Sequence, residues 1–199
     1  MNACTARSLA IARLRDCAAV MQGLLDSAEY MTALVAVAEA MTKCLRSGNK
    51  ILFLGNGGSA ADAQHLAAEL SGRFLRERPS LSGWALTTNS SAMSAIGNDY
   101  SFDDVFARQI QGMGSAGDIA FAISTSGNSP NVLKAVGVAR DKKLIAVGLA
   151  GQSGGKLRGL VDHCICIPSD QTPRIQEAHI VTGHILCELI DEELFGETK

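Results

Sequence analysis

The chain has 199 residues, of which 47% are apolar and 5% aromatic, and its 18 basic and 20 acidic side chains leave a net charge of −2. This length suits one compact domain, which we expect to span residues 1–199. Because the charges show no basic excess, the composition argues against nucleic-acid binding. No apolar run reaches the ~18 residues of a membrane span and no secretory signal opens the chain, so we expect a cytoplasmic protein without membrane contact.

Two amphipathic helices are predicted at the N-terminus, over about 5–23 and 27–46, and the Asp26-Ser27 pair is a plausible start for the second. We expect this helical extension, residues 1–48, to pack against another subunit. The apolar residues at helical spacing are Leu9, Leu14, Met21, Met31, Leu34, Val37, Ala38, Met41 and Leu45.

From Lys50 onward, short apolar runs alternate with small-residue turns and helical stretches. Continuous apolar strands that alternate with helices predict a parallel sheet covered on both faces, an α/β three-layer sandwich. The strands are predicted at 51–54, 84–86, 119–123, 144–147 and 164–167. The helices between them are predicted at 59–70, 91–96, 102–113, 130–140, 155–160 and 173–195.

Six cysteines occur in the chain, without any Cys-x-x-Cys pair. The chain is long for a disulfide scaffold and has no export signal, so we expect reduced, structural cysteines. Cys164 and Cys166 are two residues apart and would share one face of a strand, which is a poor start for a tetrahedral metal site.

Two loops resemble each other and follow buried strands. The first is Gly55-Asn56-Gly57-Gly58-Ser59 and the second spans residues 124–129, with the sequence STSGNS. In an open α/β sheet, ligands bind at the carboxyl ends of the strands. Glycine amides, hydroxyls and the following helix N-termini could hold a phosphate there, although neither loop contains a lysine. The competing interpretation is a pair of ordinary helix-starting turns.

The first loop also satisfies a dinucleotide-binding pattern, with Gly55, Gly57 and Ala60 in place. That function requires an acidic residue about twenty positions later, at the end of the next strand. The next strand ends in Thr87-Thr88-Asn89. The glycines alone are therefore weak support for a dinucleotide.

Metal-ligand residue types gather on two helices. His65 and Glu69 share a face of the helix that begins at the first loop, and the last helix carries Gln176, Glu177, His179 and His184. These types suit zinc or a similar ion. Eight residues of helix rise about 12 Å, so one straight helix cannot easily bring both Gln176 and His184 to one ion. Either that helix is irregular, or two subunits each supply a part. His163 is interpreted as structural, and the Asn98-Asp99 turn as a weak candidate for the same edge of the sheet.

Four segments of the chain, in order, resemble the phosphoheptose isomerases of the sugar isomerase (SIS) fold: GNGGSAADAQHLAAEL, AIGNDYSFDDVFARQ, STSGNSPN and RIQEAHIVTGHIL. The resemblance covers nearly the whole chain. It implies a homotetramer with active sites between subunits. It also implies conversion of sedoheptulose 7-phosphate into D-glycero-D-manno-heptose 7-phosphate, the first step of bacterial ADP-heptose synthesis for lipopolysaccharide core.

The resemblance also implies roles for particular residues. One zinc ion per subunit would be held by His65, Glu69, Gln176 and His184, and the acid/base pair would be Glu69 and His184. The substrate contacts implied are Asn56, Gly57, Gly58, Asn98, Asp99, Ser124, Thr125, Ser126, Ser129 and Gln176, to which Ser59 adds a phosphate hydroxyl.

Two alternatives stay open. A related branch of the fold binds the replication initiator protein without catalysis and departs from the enzymes at the helix carboxylate, the middle serine of STS and the last histidine. This chain has Glu69, Ser126 and His184 at those positions. The other alternative is an isomerase of a different sugar phosphate, which the same loops could bind.

Overall fold

A computed structural model describes residues 3–196, which form seven α-helices and five strands. Two helices come first, and the other five are interspersed with the strands. The predicted ends of the domain, residues 1–2 and 197–199, lie outside this range. The strands are β1 (Ile51–Gly55), β2 (Gly83–Ala85), β3 (Ile119–Ser124), β4 (Ile145–Ala150) and β5 (His163–Cys166). The helices are α1 (Ala3–Leu25), α2 (Ala28–Arg46), α3 (Gly58–Ser71), α4 (Ser90–Asp99), α5 (Ala107–Met113), α6 (Pro130–Asp141) and α7 (Thr172–Phe195).

The five strands form one parallel sheet in the order β2-β1-β3-β4-β5. This confirms the predicted α/β class and the number of strands. Two segments differ from prediction. The helix expected over 102–113 is divided into a 3₁₀ turn, Phe102–Asp104, and α5, while the stretch near 155–160 forms only the 3₁₀ turn Leu157–Gly159.

Strand side chains alternate between two apolar cores, one on each face of the sheet. Phe53 and Phe121 lie on neighbouring strands with ring centroids 5.3 Å apart, in the core shared with α2, α3 and α7. Leu54 and Ala122 point to the opposite core, which α5 and α6 cover. This two-residue alternation is what fixes the register of a sheet buried on both faces.

The N-terminal helices differ in how deeply they are buried. The Ser27 hydroxyl caps α2 by accepting a hydrogen bond from the Tyr30 amide at 3.1 Å, so the predicted helix start is correct. Leu34, Val37 and Met41 of α2 are buried in the core. On α1, by contrast, Leu14 is 72% exposed, which leaves the predicted intersubunit surface uncovered in the single chain.

All six cysteines are free thiols, and Cys44 and Cys187 are buried. The expectation of reduced cysteines therefore agrees with the structure. Within residues 3–196, no helix has both the length and the apolar character that crossing a bilayer requires.

Candidate active site

The two predicted phosphate loops lie side by side, because β1 and β3 are neighbours and both loops leave their carboxyl ends. A reciprocal pair of amides joins them. Asn56 Nδ2 donates to Asn131 Oδ1 at 2.8 Å, and Asn131 Nδ2 donates to Asn56 Oδ1 at 2.9 Å. Asn131, at the start of α6, is nearly fully buried and was not recognised in the sequence. Its place at the end of the STSGNSPN segment was the signal that could have identified it.

The first loop turns sharply into α3, with Gly57 at a φ of +56° before the first helical residue. A β-carbon at Gly58 would lie 2.3 Å from the Gln176 side-chain nitrogen, so the Gln176 amide packs directly on this turn. Ser59 is buried, with 4% of its surface exposed. Its role as a phosphate hydroxyl stays a prediction.

The second loop is held by its own hydroxyls. The Ser124 and Ser129 oxygens lie 3.1 Å apart, and the Asn128 amide donates to Ser126 Oγ at 3.1 Å. Gly127 has a φ of +62°, and a β-carbon there would lie 2.0 Å from the carbonyl oxygen of Gly154. Only glycine fits that backbone conformation and that contact.

A cavity of about 410 Å³ opens beside the second loop, between the ends of β3, β4 and β5 and the start of α7. The polar groups around it, Asp170 excepted, are neutral. This suits a polyhydroxylated ligand held by hydrogen bonds. Its lining is Thr125, Ser126, Gln152, Ser153, Ser169, Asp170, Thr172 and Ile175. The residues after β4 and β5 were missed in the sequence, although their place at the carboxyl edge was the available signal.

Three metal-ligand side chains converge between α3 and α7. His65 Nε2 lies 2.9 Å from His184 Nε2 and 3.0 Å from Glu69 Oε1, and the three ligand atoms all lie within 4.8 Å of one another. In a tetrahedral zinc site with bonds of 2.0–2.1 Å, ligand atoms are about 3.3 Å apart. If the three ligand atoms moved apart by a few tenths of an ångström, an ion would fit between them. The donor set of imidazole and carboxylate fits zinc.

The fourth predicted ligand is placed elsewhere in the same chain. Gln176 lies against Gly58, whereas His65 is seven residues, or about 10 Å, further along α3. Helix α7 is a continuous α-helix from Thr172 to Phe195. The structure thus gives no support to an irregular helix, the first of the two explanations for the spacing of Gln176 and His184.

Two neighbours of the triad were not foreseen from the sequence. The Phe74 ring stacks on His184 with centroids 5.5 Å apart and an angle of 27° between the planes. Asp62 lies one turn before His65 on α3, and burial raises the pKa of its carboxyl to about 6, although the nearby His65 opposes the shift. An acidic residue three positions before a histidine was the sequence signal for Asp62.

A buried ion pair ties together the two helices that carry the triad. Arg78 Nε donates to Asp191 of α7 at 2.8 Å, with both side chains almost fully buried. The same guanidinium donates to the carbonyls of Glu69 and Leu70 at the end of α3, at 2.7 and 2.8 Å. Arg78 therefore fixes the carboxyl end of α3 against α7.

The other polar residues singled out in the sequence are not part of the group formed by His65, Glu69 and His184. Asn98 and Asp99 are exposed at the end of α4, where the Asn98 amide donates to the Asp99 carboxylate at 2.9 Å. Glu177 pairs with Arg174, which lowers the pKa of the Glu177 carboxyl. His179 is fully buried and contributes to the interior. His163 begins β5, in agreement with a structural role.

Comparison with known proteins identifies the class of protein to which this chain belongs. Residues 16–151 match the SIS domain family. Phosphoheptose isomerase of Rhodospirillum rubrum is 56% identical over 80% of this chain and 86% of its own length, and that of Aneurinibacillus thermoaerophilus is 50% identical over 88% and 89%.

Solved structures agree. A phosphoheptose isomerase from Neisseria gonorrhoeae superposes with a TM-score of 0.88 at 41% identity, and one from Francisella tularensis with 0.90 at 35%. Each comparison covers 94% of this chain and 98% of the other. The chain belongs to the phosphoheptose isomerase family of SIS-domain proteins.

Proposed function

We propose that the protein is an aldose–ketose isomerase that converts sedoheptulose 7-phosphate into D-glycero-D-manno-heptose 7-phosphate. The observation that carries the proposal is the convergence of His65, Glu69 and His184 in a chain whose relatives are named phosphoheptose isomerase. The reaction would supply the first step of ADP-heptose and lipopolysaccharide core synthesis in the cytoplasm.

The chemistry needs a base at the carbon acid and an acid at the adjacent oxygen, because a proton moves between neighbouring carbons through an enediol. Glu69 is the base in this proposal, and His184 is the proton donor. Their side chains both approach His65 Nε2, so one sugar carbon pair could contact both groups.

The same three residues would hold one zinc ion per subunit, with Gln176 as the fourth ligand. When bound there, the ion would supply positive charge that stabilises the developing oxyanion. The chain's own residues bind and orient the sugar and move its proton.

The far end of the sugar would be held by the two loops and by the Asn98–Asp99 turn. Asn56, Gly57 and Gly58 would offer amide and backbone groups at the start of α3, and the buried Ser59 would add a hydroxyl. Ser124, Thr125, Ser126 and Ser129 present hydroxyls at the start of α6. Binding the remote phosphate in this way orients the reacting carbons.

We further propose a homotetramer in which the extension at residues 1–48 contributes to the interface of a single SIS domain. The exposed apolar residues of α1, such as Leu14, support the interface. The position of Gln176, against Gly58 and away from its own triad, supports a site completed between subunits.

A proton-NMR assay with sedoheptulose 7-phosphate, with and without a chelator, tests the proposal. The expected result is turnover that chelation abolishes and added zinc restores. Turnover with other sugar phosphates but not with sedoheptulose 7-phosphate would show that the enzyme has a different substrate. The absence of turnover with every sugar phosphate tested would favour the non-catalytic protein that binds the replication initiator. The intact Glu69, Ser126 and His184 favour the enzyme over that regulator.

A further inference from the structure

A pair of thiols lies at the open edge of the sheet, outside the proposed active site. Cys164 and Cys166 are on β5, the last strand in the sheet order, and their sulfur atoms are 3.7 Å apart. Both side chains are partly exposed. They line a cavity of about 190 Å³ together with Glu29, Arg158 and Gln152.

The distance between the sulfurs matches a metal site better than a disulfide. Two thiolates bound to one tetrahedral zinc ion, with bonds of about 2.3 Å, have sulfurs about 3.8 Å apart. A disulfide instead needs α-carbons within about 4.4–6.8 Å, and residues two apart in an extended strand are about 6.6 Å apart, at the upper edge of that range. A disulfide would need the sulfurs to approach by about 1.6 Å, whereas a cation fits between them as they lie.

The surroundings leave room at one sulfur of the pair and lower the pKa of that thiol. A β-carbon at Gly154 would lie 3.1 Å from Cys166 Sγ, so glycine at that position keeps the approach to the sulfur open. The hydrogen bond from the Cys164 thiol lowers the pKa of Cys166 to about 7, and the Arg158 guanidinium adds to this effect. The same hydrogen bond and burial raise the pKa of Cys164, so its proton leaves when a cation takes its place on the sulfur. Arg158 is itself fixed by Glu29 at 2.9 Å.

We propose that Cys164 and Cys166 bind one thiophilic divalent cation of the zinc and cadmium class through both sulfurs. Two metal–sulfur bonds form and both thiol protons are released to solvent, including the proton that the two sulfurs share in the free protein. The other coordination positions face the cavity, where solvent fills them. The sequence pattern argued against this site because the two cysteines share one face of a strand, and the 3.7 Å between the sulfurs overrides that argument.

A cadmium titration of the phosphine-reduced protein tests the site, because sulfur-to-cadmium charge transfer absorbs in the ultraviolet. His65, Glu69 and His184 contain no sulfur and cannot give this band. We expect the band to saturate at one cadmium ion per chain, beyond any ion that the triad takes up without a band, in the wild type and in Cys17→Ser, and to be lost in Cys164→Ser/Cys166→Ser. Persistence of the band in the double variant, or its absence from the wild type, would overturn the proposal.

A second measurement needs no variant. Phenylarsine oxide reacts with two neighbouring thiols to form two arsenic–sulfur bonds and release one water. We expect one adduct per wild-type chain by intact mass, located in the tryptic peptide of residues 159–174, which holds both cysteines. An adduct on other cysteines only, or no adduct, would count against the paired site.

Discussion

Removing one partner of the buried ion pair between Arg78 and Asp191 should be one of the more destabilising single substitutions in the chain. Both side chains are at most 3% exposed, and the nitrogen and oxygen are 2.8 Å apart. Replacing Asp191 by alanine leaves the guanidinium buried without its counter-charge. Removing one partner of such a pair costs about 3–5 kcal/mol. For a chain of this size, that loss corresponds to a fall in the unfolding midpoint of roughly 6–20 °C.

A matched control lies on the same helix. Glu193 pairs with Arg46 at 3.0 Å, but both side chains are more than half exposed. Glu193→Ala should therefore change the free energy of unfolding by at most about 1 kcal/mol. Urea denaturation of both variants measures the difference. If Asp191→Ala cost no more than Glu193→Ala, the argument from burial would be wrong.

Three further predictions concern catalysis, backbone conformation and pH. Glu69→Gln should reduce turnover of sedoheptulose 7-phosphate by at least about a hundredfold without changing the circular dichroism, because an amide cannot take up the proton; near-normal turnover would remove Glu69 as the base. Gly127→Ala should cost at least about 1–2 kcal/mol in a urea titration, from the positive φ alone; an unchanged midpoint would refute the assigned backbone strain. Burial lowers the pKa of His179 from 6.5 to about 4, only partly offset by the backbone of Ala150. The unfolded chain therefore takes up a proton below pH 6.5 that the folded chain refuses. The titration of His179 should leave the free energy of unfolding unchanged above pH 6.5 and lower it by about 2 kcal/mol by pH 5. His179→Leu should lose that part of the pH dependence. An unaltered slope of unfolding free energy against pH in that variant would contradict the assignment.

Apolar runs and turn residues predicted most of the fold. The five apolar runs became five parallel strands, as continuous apolar runs separated by helical stretches and turns predict. The edge strand β2 is the least buried of them, since Trp84 is 54% exposed. The stretch at 102–113 was less predictable. Its periodicity fits one helix, yet Ser101 Oγ donates to Asp104 at 2.7 Å and the first turn closes as 3₁₀ before α5 begins.

In the candidate site, too, contacts within one helix could be predicted and contacts between distant segments could not. His65 and Glu69 could be predicted together because four residues of one helix bring them to one face. His184 joins them only through the packing of α3 on α7, which local patterns do not specify. For the same reason Phe74 and Asn131 were missed, since their contacts join segments that are about 75 to 110 residues apart.

The amide pair between Asn56 and Asn131 has a consequence for how the site can change. Each side chain gives its donor and its acceptor to the other, so neither can rotate alone without leaving polar atoms of both unpaired. The two loops are therefore set to one common orientation. A carboxylate at position 56 would face the Asn131 oxygen with no hydrogen to donate. A substitution at position 56 or 131 should accordingly be tolerated only with a complementary change at the other, which makes these two positions a coupled pair.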